Sequence, residues 1–182
     1  YHQMLWSKPL PNGQLFELAD TKPGTYLYHL SNNGEFYLGS DAITHSYRST
    51  KMMSHIISQV PPEKVNSLFS IGSTIGAYII FPSNRINKHM TINQARGIHP
   101  RIRDRFDLTL ECIRLFYENK ESPLYPVFQR YVEFFELFCD FRRYVDFFLL
   151  QDLVSSNYSS VKYHLRHSDF KEPPLPKSLN EY

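Results

Sequence analysis

"DRFDLTLECIRLFYE", residues 104–118, decides the fold. Placed at about 100° per residue from Arg103, the charged residues Arg103, Asp104, Asp107, Glu111, Arg114 and Glu118 fall within one arc of about 100°. Leu108, Leu110, Cys112, Ile113, Leu115, Phe116 and Tyr117 fill the rest of the circle. This spacing predicts a largely buried helix over about 101–118 with a single mixed-charge stripe. Downstream, "SPLYP" (122–126) interrupts the pattern, and Pro126 suits the first turn of a second helix over about 126–142. On that helix Gln129, Glu133, Glu136 and Asp140 gather within about 60°, a face expected to meet water.

At Arg142 the phase fails. Arg142 and Asp146 would enter the apolar face if the helix went on, so it is expected to end near Arg143. "YVDFFLLQDLV" (144–154) and "VKYHL" (161–165) then read as a closing β-hairpin, against the competing reading of a kinked helix reaching Leu153. The Pro-rich tail from about 171 to 182 is expected to lie extended over the surface or to be loose.

Upstream, "LFELA" (15–19), "TYLYHLS" (25–31) and "EFYLGS" (35–40) read as strands, with Asn33-Gly34 signalling a type I′ hairpin. "SHIISQV" (54–60) reads as a short helix stopped by Pro61-Pro62, with Pro62 able to open another. "GAYIIFP" (76–82) is a further strand ended by Pro82. Strands at both ends with helices between them give an α+β class: a mostly antiparallel sheet of N- and C-terminal strands against two long apolar helices, in one domain over 1–182. There is no regular β-α-β alternation, which argues against a doubly wound nucleotide fold.

Composition narrows the function classes. The 182 residues carry a net charge of +2, with 14 Phe and 13 Tyr. So many rings point to a core or interface of large plates. No run of 18 apolar residues spans a bilayer and no secretory zones open the chain, so a soluble, cytoplasmic protein is expected, with no membrane partner. Two cysteines, Cys112 and Cys139, make no disulfide framework and no Cys-x-x-Cys pair. No phosphate-binding glycine loop is present: "IGSTIG" (71–76) has neither the lysine nor the spacing. Ser40, Asp41, Thr44 and His45 in "GSDAITHS" are neighbours in sequence, whereas a catalytic triad must meet in space. His164, His167 and Asp169 would straddle both faces of a strand, so no metal is expected there. No cofactor is expected.

Charge is unevenly spread. Residues 84–105 hold a net +5 and residues 106–153 a net −4. Within "TINQARGIHPRIRDRF" (91–106), Pro100 favours a helix start, which sets Arg101, Arg103 and Arg105 at the positive end of a macrodipole, the wrong sign by roughly 0.3–1 kcal/mol each. If Asp104 is the N-cap, Arg101 and Arg103 fall outside the helix, yet Arg105 still projects into the apolar arc. A buried arginine requires a carboxylate or phosphate. Two readings stay open. One is an internal ion pair of Arg105 with Asp146; the other is an anion pocket of Arg96, Arg103 and Arg105 with Asn93 and Gln94 as polar readers.

"LYHLS" (27–31) resembles the first core strand of some ADP-ribosyltransferase-type enzymes, where a histidine of a tyrosine-histidine pair touches the nicotinamide nucleotide; the resemblance implies that role for His29. "FYLGSDAI", "FP", "TINQARG", "DRFDLTLECIR" and "YVDFFLLQDLV" together resemble a bacterial family known as a domain of unknown function, over roughly residues 35 to 154. That family often carries glycine where this chain has Arg143. The resemblance implies a bacterial cytosolic origin and transfers no activity. The leading expectation is a domain binding a nucleotide or RNA phosphate at 93–107, with metal-independent phosphodiester chemistry and His99 or His89 as general acid or base. The alternative is a non-enzymatic domain that homo-oligomerises or binds a protein through its aromatic helices, and the third is an ADP-ribosyltransferase-like enzyme.

Overall fold

A computed structural model describes residues 8–19, 26–31, 34–42, 47–72 and 77–181. Its class is α+β. Four antiparallel strands, β1 (Glu17–Ala19), β2 (Tyr26–Ser31), β3 (Gly34–Ala42) and β4 (Tyr78–Pro82), form a sheet in the order β1-β2-β3-β4. Ser31 pairs with Gly34, so the turn of the expected hairpin falls on residues outside those described. His29 pairs with Phe36 in the same ladder, and its side chain also lies outside the description, as does His45.

β4 pairs with β3 and brings Ile79 opposite Asp41. Ile79, Ile80 and Phe81 are all fully buried. Both faces of this strand are therefore covered, although among the described residues it pairs with a strand, β3, on one edge only.

Among the described residues eight α-helices occur, three between β3 and β4, namely α1 (Tyr47–Met52), α2 (Ser54–Ile57) and α3 (Pro62–Gly72), and five after β4, namely α4 (Ile92–Ile98), α5 (Phe106–Tyr117), α6 (Tyr125–Gln129), α7 (Val132–Glu136) and α8 (Phe141–Phe148). The helix stopped before Pro61 and the one opened at Pro62 are α2 and α3. Against β4 packs the aromatic centre of the molecule, with Phe81 and Phe134 at 6.3 Å between centroids. Phe116, Phe128, Phe135, Phe138, Tyr144 and Phe148 continue it through edge and tilted ring contacts. These are the geometries that aromatic quadrupoles favour.

Three expectations about the helices change. The first helix begins at Phe106 rather than 101, because Arg103 (φ 49°) and Asp104 (φ 67°) both adopt left-handed backbone, which no right-handed helix contains. The expected 126–142 helix is instead α6, α7 and the start of α8. Breaks at Tyr131 (φ −118°) and Cys139 (φ 67°) let Phe128, Tyr131, Phe134 and Phe138 all turn inward. Gln129, Glu136 and Asp140 are exposed, as the narrow polar face required, and Glu133 is half-buried.

"YVDFFLLQDLV" is helical. Asp140 caps a new helix by accepting from the Arg143 backbone N–H at 2.8 Å, and α8 runs to Phe148 before a 3₁₀ turn at Gln151–Leu153. The sheet accordingly takes no C-terminal strand among the described residues. What remains of the closing hairpin is one antiparallel bridge, Val154 to Val161, flanked by Ser155 N–H to Ser160 O at 2.9 Å. Beyond it, residues 161–176 form a strap over α5, burying Val161, Phe170 and Pro176. No helix among the described residues is long and apolar enough to cross a membrane.

Candidate functional site

The basic segment is organised by α4. Its start is a capping box: the Thr91 hydroxyl accepts from Gln94 N–H at 3.3 Å and the Gln94 side-chain oxygen accepts from Thr91 N–H at 3.3 Å. Gln94 thereby spends its carbonyl on the helix rather than on a ligand. Asn93 is half-buried beside it, and its Oδ1 accepts no hydrogen bond among the described residues.

In the last turn of α4, Arg96 points inward and is completely buried. One terminal nitrogen lies 2.7 Å from Asp41 on β3 and 2.7 Å from Asp104. Its Nε donates to Thr109 Oγ1 at 3.2 Å and its other terminal nitrogen to the Asp104 carbonyl at 3.0 Å. Asp104 N–H donates back to the Arg96 carbonyl at 2.9 Å. One guanidinium therefore fastens β3, the 99–105 turn and α5 together, a use that the planar five-donor fork of arginine allows.

Arg105 is buried as well, at the N-cap position of α5. It donates Nε to Asp107 Oδ1 at 2.9 Å and a terminal nitrogen to Asp107 Oδ2, while its other terminal nitrogen reaches the Pro174 carbonyl at 3.1 Å. The partner its burial demanded is thus Asp107, two residues on, and the expected pair with Asp146 does not form. Asp146 lies on the exposed face of α8, where it accepts from Tyr158 Oη at 2.8 Å and sits 3.9 Å from Arg142. Its apparent intrusion into an apolar face came from extending one helical phase across Cys139.

Asp107 and Glu111 follow one another on one face of α5, Asp104 lies just ahead of the helix, and all three are buried. The mixed-charge stripe is roofed by the strap. Asp107 Oδ2 lies 3.0 Å from His164 Nδ1, and Glu111 is held twice by Arg114, at 2.8 and 2.7 Å. Burial by itself pushes the Asp107 carboxyl up. Hydrogen bonds from His164 and Arg105, with their charges, more than offset this and hold it well below the usual carboxylate range. Burial and the adjacent Glu111 carboxylate push the Tyr163 phenol well above its ordinary value.

Arg101 is exposed and makes no ion pair among the described residues. Its backbone N–H donates to His99 Nδ1 at 3.2 Å, which leaves the proton of a neutral ring on Nε2. Partial burial, then the charges of Arg101 and Arg103, lower the His99 pKa. Arg103 is half-buried in the left-handed turn, and His89 is exposed in a separate turn after β4. Arg101 also stands on the rim of a groove of about 570 Å³. Glu111, Arg114 and Leu115 of α5 form one wall, Lys120 to Pro123 a second, and His167, Asp169 and Phe170 of the strap a third. His167 is stacked between Tyr163 and Phe170 at 4.4 and 4.7 Å.

Of the residues singled out in the sequence, the structure brings Arg96 and Arg105 to the same turn but closes both with the chain's own carboxylates. A family model described as "Family of unknown function (DUF6994)" matches residues 1–182. The chain belongs to that family. No curated protein and no solved structure matches it. Membership in DUF6994 brings no activity with it, so the site must be read from its own geometry. Sequence reasoning missed the strap residues Tyr163, His164, His167 and Phe170 as parts of this site, because 161–165 was read as a strand whose faces His164 and His167 would straddle, and Phe170 was not singled out. The signal that pointed to them was the buried charge of α5, which required partners from elsewhere in the chain. Among the described residues no group of three His, Cys, Asp or Glu side chains is placed to hold a metal ion.

Proposed function

We propose that this chain binds a phosphate-bearing ligand, a nucleotide or an RNA phosphate, in the groove rimmed by Arg101, in a bacterial cytoplasmic setting as the family resemblance implies. The carrying observation is the division of labour among the arginines. Arg96 and Arg105 are saturated by Asp41, Asp104 and Asp107, whereas Arg101 is exposed at the mouth of a groove of a size suited to a small organic ligand. Arg114 and Lys120 line the same walls but are paired with Glu111 and Glu118, and Glu121 and Asp169 stand there too, so the anion reading rests on Arg101, while Leu115, Pro123 and Phe170 supply apolar surface for a base or sugar. The His99 pKa is lowered first by burial and then by the charges of Arg101 and Arg103, and a phosphate beside Arg101 would offset the second of these effects. The chemistry we associate with the site is phosphodiester cleavage or transfer carried by side chains.

The alternative of oligomerisation through the aromatic helices draws less support, since Phe128, Tyr131, Phe134, Phe135 and Phe138 are spent on the core. Calorimetric titration with a nucleoside monophosphate and with a short ribo-oligonucleotide tests the reading. Arg101→Ala should weaken both by about tenfold, near the worth of one charge-assisted hydrogen bond, while leaving the thermal midpoint unchanged. Parent-like binding by a folded Arg101→Ala protein rejects it.

A further inference from the structure

We propose that the turn at 84–90, with Arg130, is a second phosphate station, and that the ligand is a single-stranded oligonucleotide running from it to the groove rimmed by Arg101. The inference rests on the phosphate-binding reading above and extends the ligand from one nucleotide to a strand. The turn is firmly built. Ile86 packs against the core, His89 N–H donates to the Ile86 carbonyl at 3.0 Å, and the Tyr131 hydroxyl donates to the Asn84 carbonyl at 2.9 Å. Left-handed backbone at Asn87 (φ 50°) and Lys88 (φ 63°) completes it. With Ile86 held inward, Arg85, Lys88, His89 and Met90 are all exposed. Among the described residues the side chains of Arg85, Lys88 and His89 make no ion pair and no hydrogen bond.

Arg130 adds a charge that no carboxylate among the described residues cancels. One terminal nitrogen donates to the Met90 carbonyl at 3.2 Å and the other to the Pro126 carbonyl at 2.9 Å, so neutral oxygens hold the guanidinium in place without neutralising it. Arg85 stands close by, since its charge and that of Arg130 both act on the Tyr131 phenol. Like charges therefore gather at one corner of the molecule. Such a cluster raises the local concentration of anions and favours a ligand that carries several of them.

Helices α4 and α6 join this corner to the groove. Met90, ahead of α4, meets Arg130, just past α6, while Arg101, past α4, shares the groove with Ser122 and Pro123, ahead of α6. The two helices pack side by side and so run antiparallel, with the turn at one end and the groove at the other. Helix α4 rises about 10 Å, so one phosphate cannot touch both ends and a strand can. Residues 84–103 and 122–132, which supply this surface, contain no Asp or Glu, so neither segment repels a backbone laid along it. Between the stations Gln94 and Ile98 are exposed on α4, Ile98 at 44%. His89 and Met90 at one end and Ile98 midway offer bases an imidazole ring and apolar surface. Cations interleaved with such platforms are how proteins hold single strands.

The test uses the full chain, labelled octauridylate and octathymidylate, and uridine monophosphate, with KCl varied from about 50 to 200 mM. The parent should bind an octamer at least about tenfold more tightly than the monophosphate, because linked contacts reinforce one another. A double variant, Arg85→Ala with Lys88→Ala, replaces exposed side chains; it should keep the parent's thermal midpoint and bind the monophosphate within about twofold of it. Its octamer affinity should fall by about tenfold, and the slope of log affinity against log salt should shrink by about 1.4, two contacts at about 0.7 each. The tighter of the two octamers tells whether the strand is RNA or DNA. An octamer bound no better than the monophosphate, a double variant with the parent's salt slope, or a loss shared equally by octamer and monophosphate overturns the inference. So does polyglutamate that displaces the labelled octamer as well as unlabelled octamer does, which marks a surface for acidic peptides. Failure of the groove reading is distinct, since Arg101→Ala then binds the monophosphate like the parent.

Discussion

Two arginines that looked alike in the sequence do structural work of different kinds. Arg96 joins three elements, and removing it takes away the guanidinium 2.7 Å from Asp104, which is only 6% exposed. Breaking a buried pair from one side costs about 3–5 kcal/mol. Arg96→Ala should therefore show that loss in urea unfolding, and Arg96→Lys, which keeps the charge but not the fork, a smaller one. Asp41 is partly open to solvent and contributes less to the penalty. At Asp107 the consequence is a pH dependence. Its folded-state pKa is depressed, so the stabilisation is fully present above the usual carboxylate range and is lost as pH falls through and below that range. Asp107→Asn should be clearly less stable than the parent at pH 7, and the gap in unfolding midpoint should narrow steadily between about pH 5 and pH 2. A gap that stays constant with pH would show that the carboxylate charge is not what stabilises the turn.

At the scale of elements, helical periodicity identified which residues of α5 are polar and which of α6 and α7 face inward, because those positions are fixed by burial within single helices. It misread what followed Cys139. A left-handed residue resets the angular phase, and a phase count carried across it sends Arg142 and Asp146 into the core when they are an i, i+4 pair on a new surface. Asp140 is a strong N-cap residue, and with hindsight it marks the restart. The other end of α8 carries a testable strain. Leu149 closes the helix at φ 59° with 60% of its surface exposed, a conformation in which a β-carbon costs about 1–2 kcal/mol and glycine costs little. Against this stands the extra chain entropy that glycine loses, about 0.5–1 kcal/mol. Leu149→Gly should leave a net gain near 0.5–1 kcal/mol, visible as a rise of roughly 1–4 °C in thermal midpoint.

For the whole molecule, the α+β class and the N-terminal meander were legible because alternating apolar runs and turn residues report local pairing. The roof over α5 was not, since nothing local in residues 161–176 shows that a charged stripe some 50 residues earlier awaits them. The strap contributes Val161, Phe170 and Pro176 to buried surface, with His164 and the Pro174 carbonyl on Asp107 and Arg105. Each apolar side chain is worth about 1.5–3 kcal/mol when fully buried, and each hydrogen bond to a charged group about 1.5–3 kcal/mol. Together these rival the 5–15 kcal/mol that holds a typical domain folded. A chain cut after Ser160 should consequently lose cooperative unfolding or shift to a far lower midpoint, and become open to proteolysis in the 99–105 turn. A chain cut after Pro176, which removes none of these anchors, should unfold within about 0.5–1 kcal/mol of the parent. Equal stability of the two truncated chains would mean that α5 tolerates Asp107 and Glu111 uncovered, and that the strap covers the charged face without stabilising it.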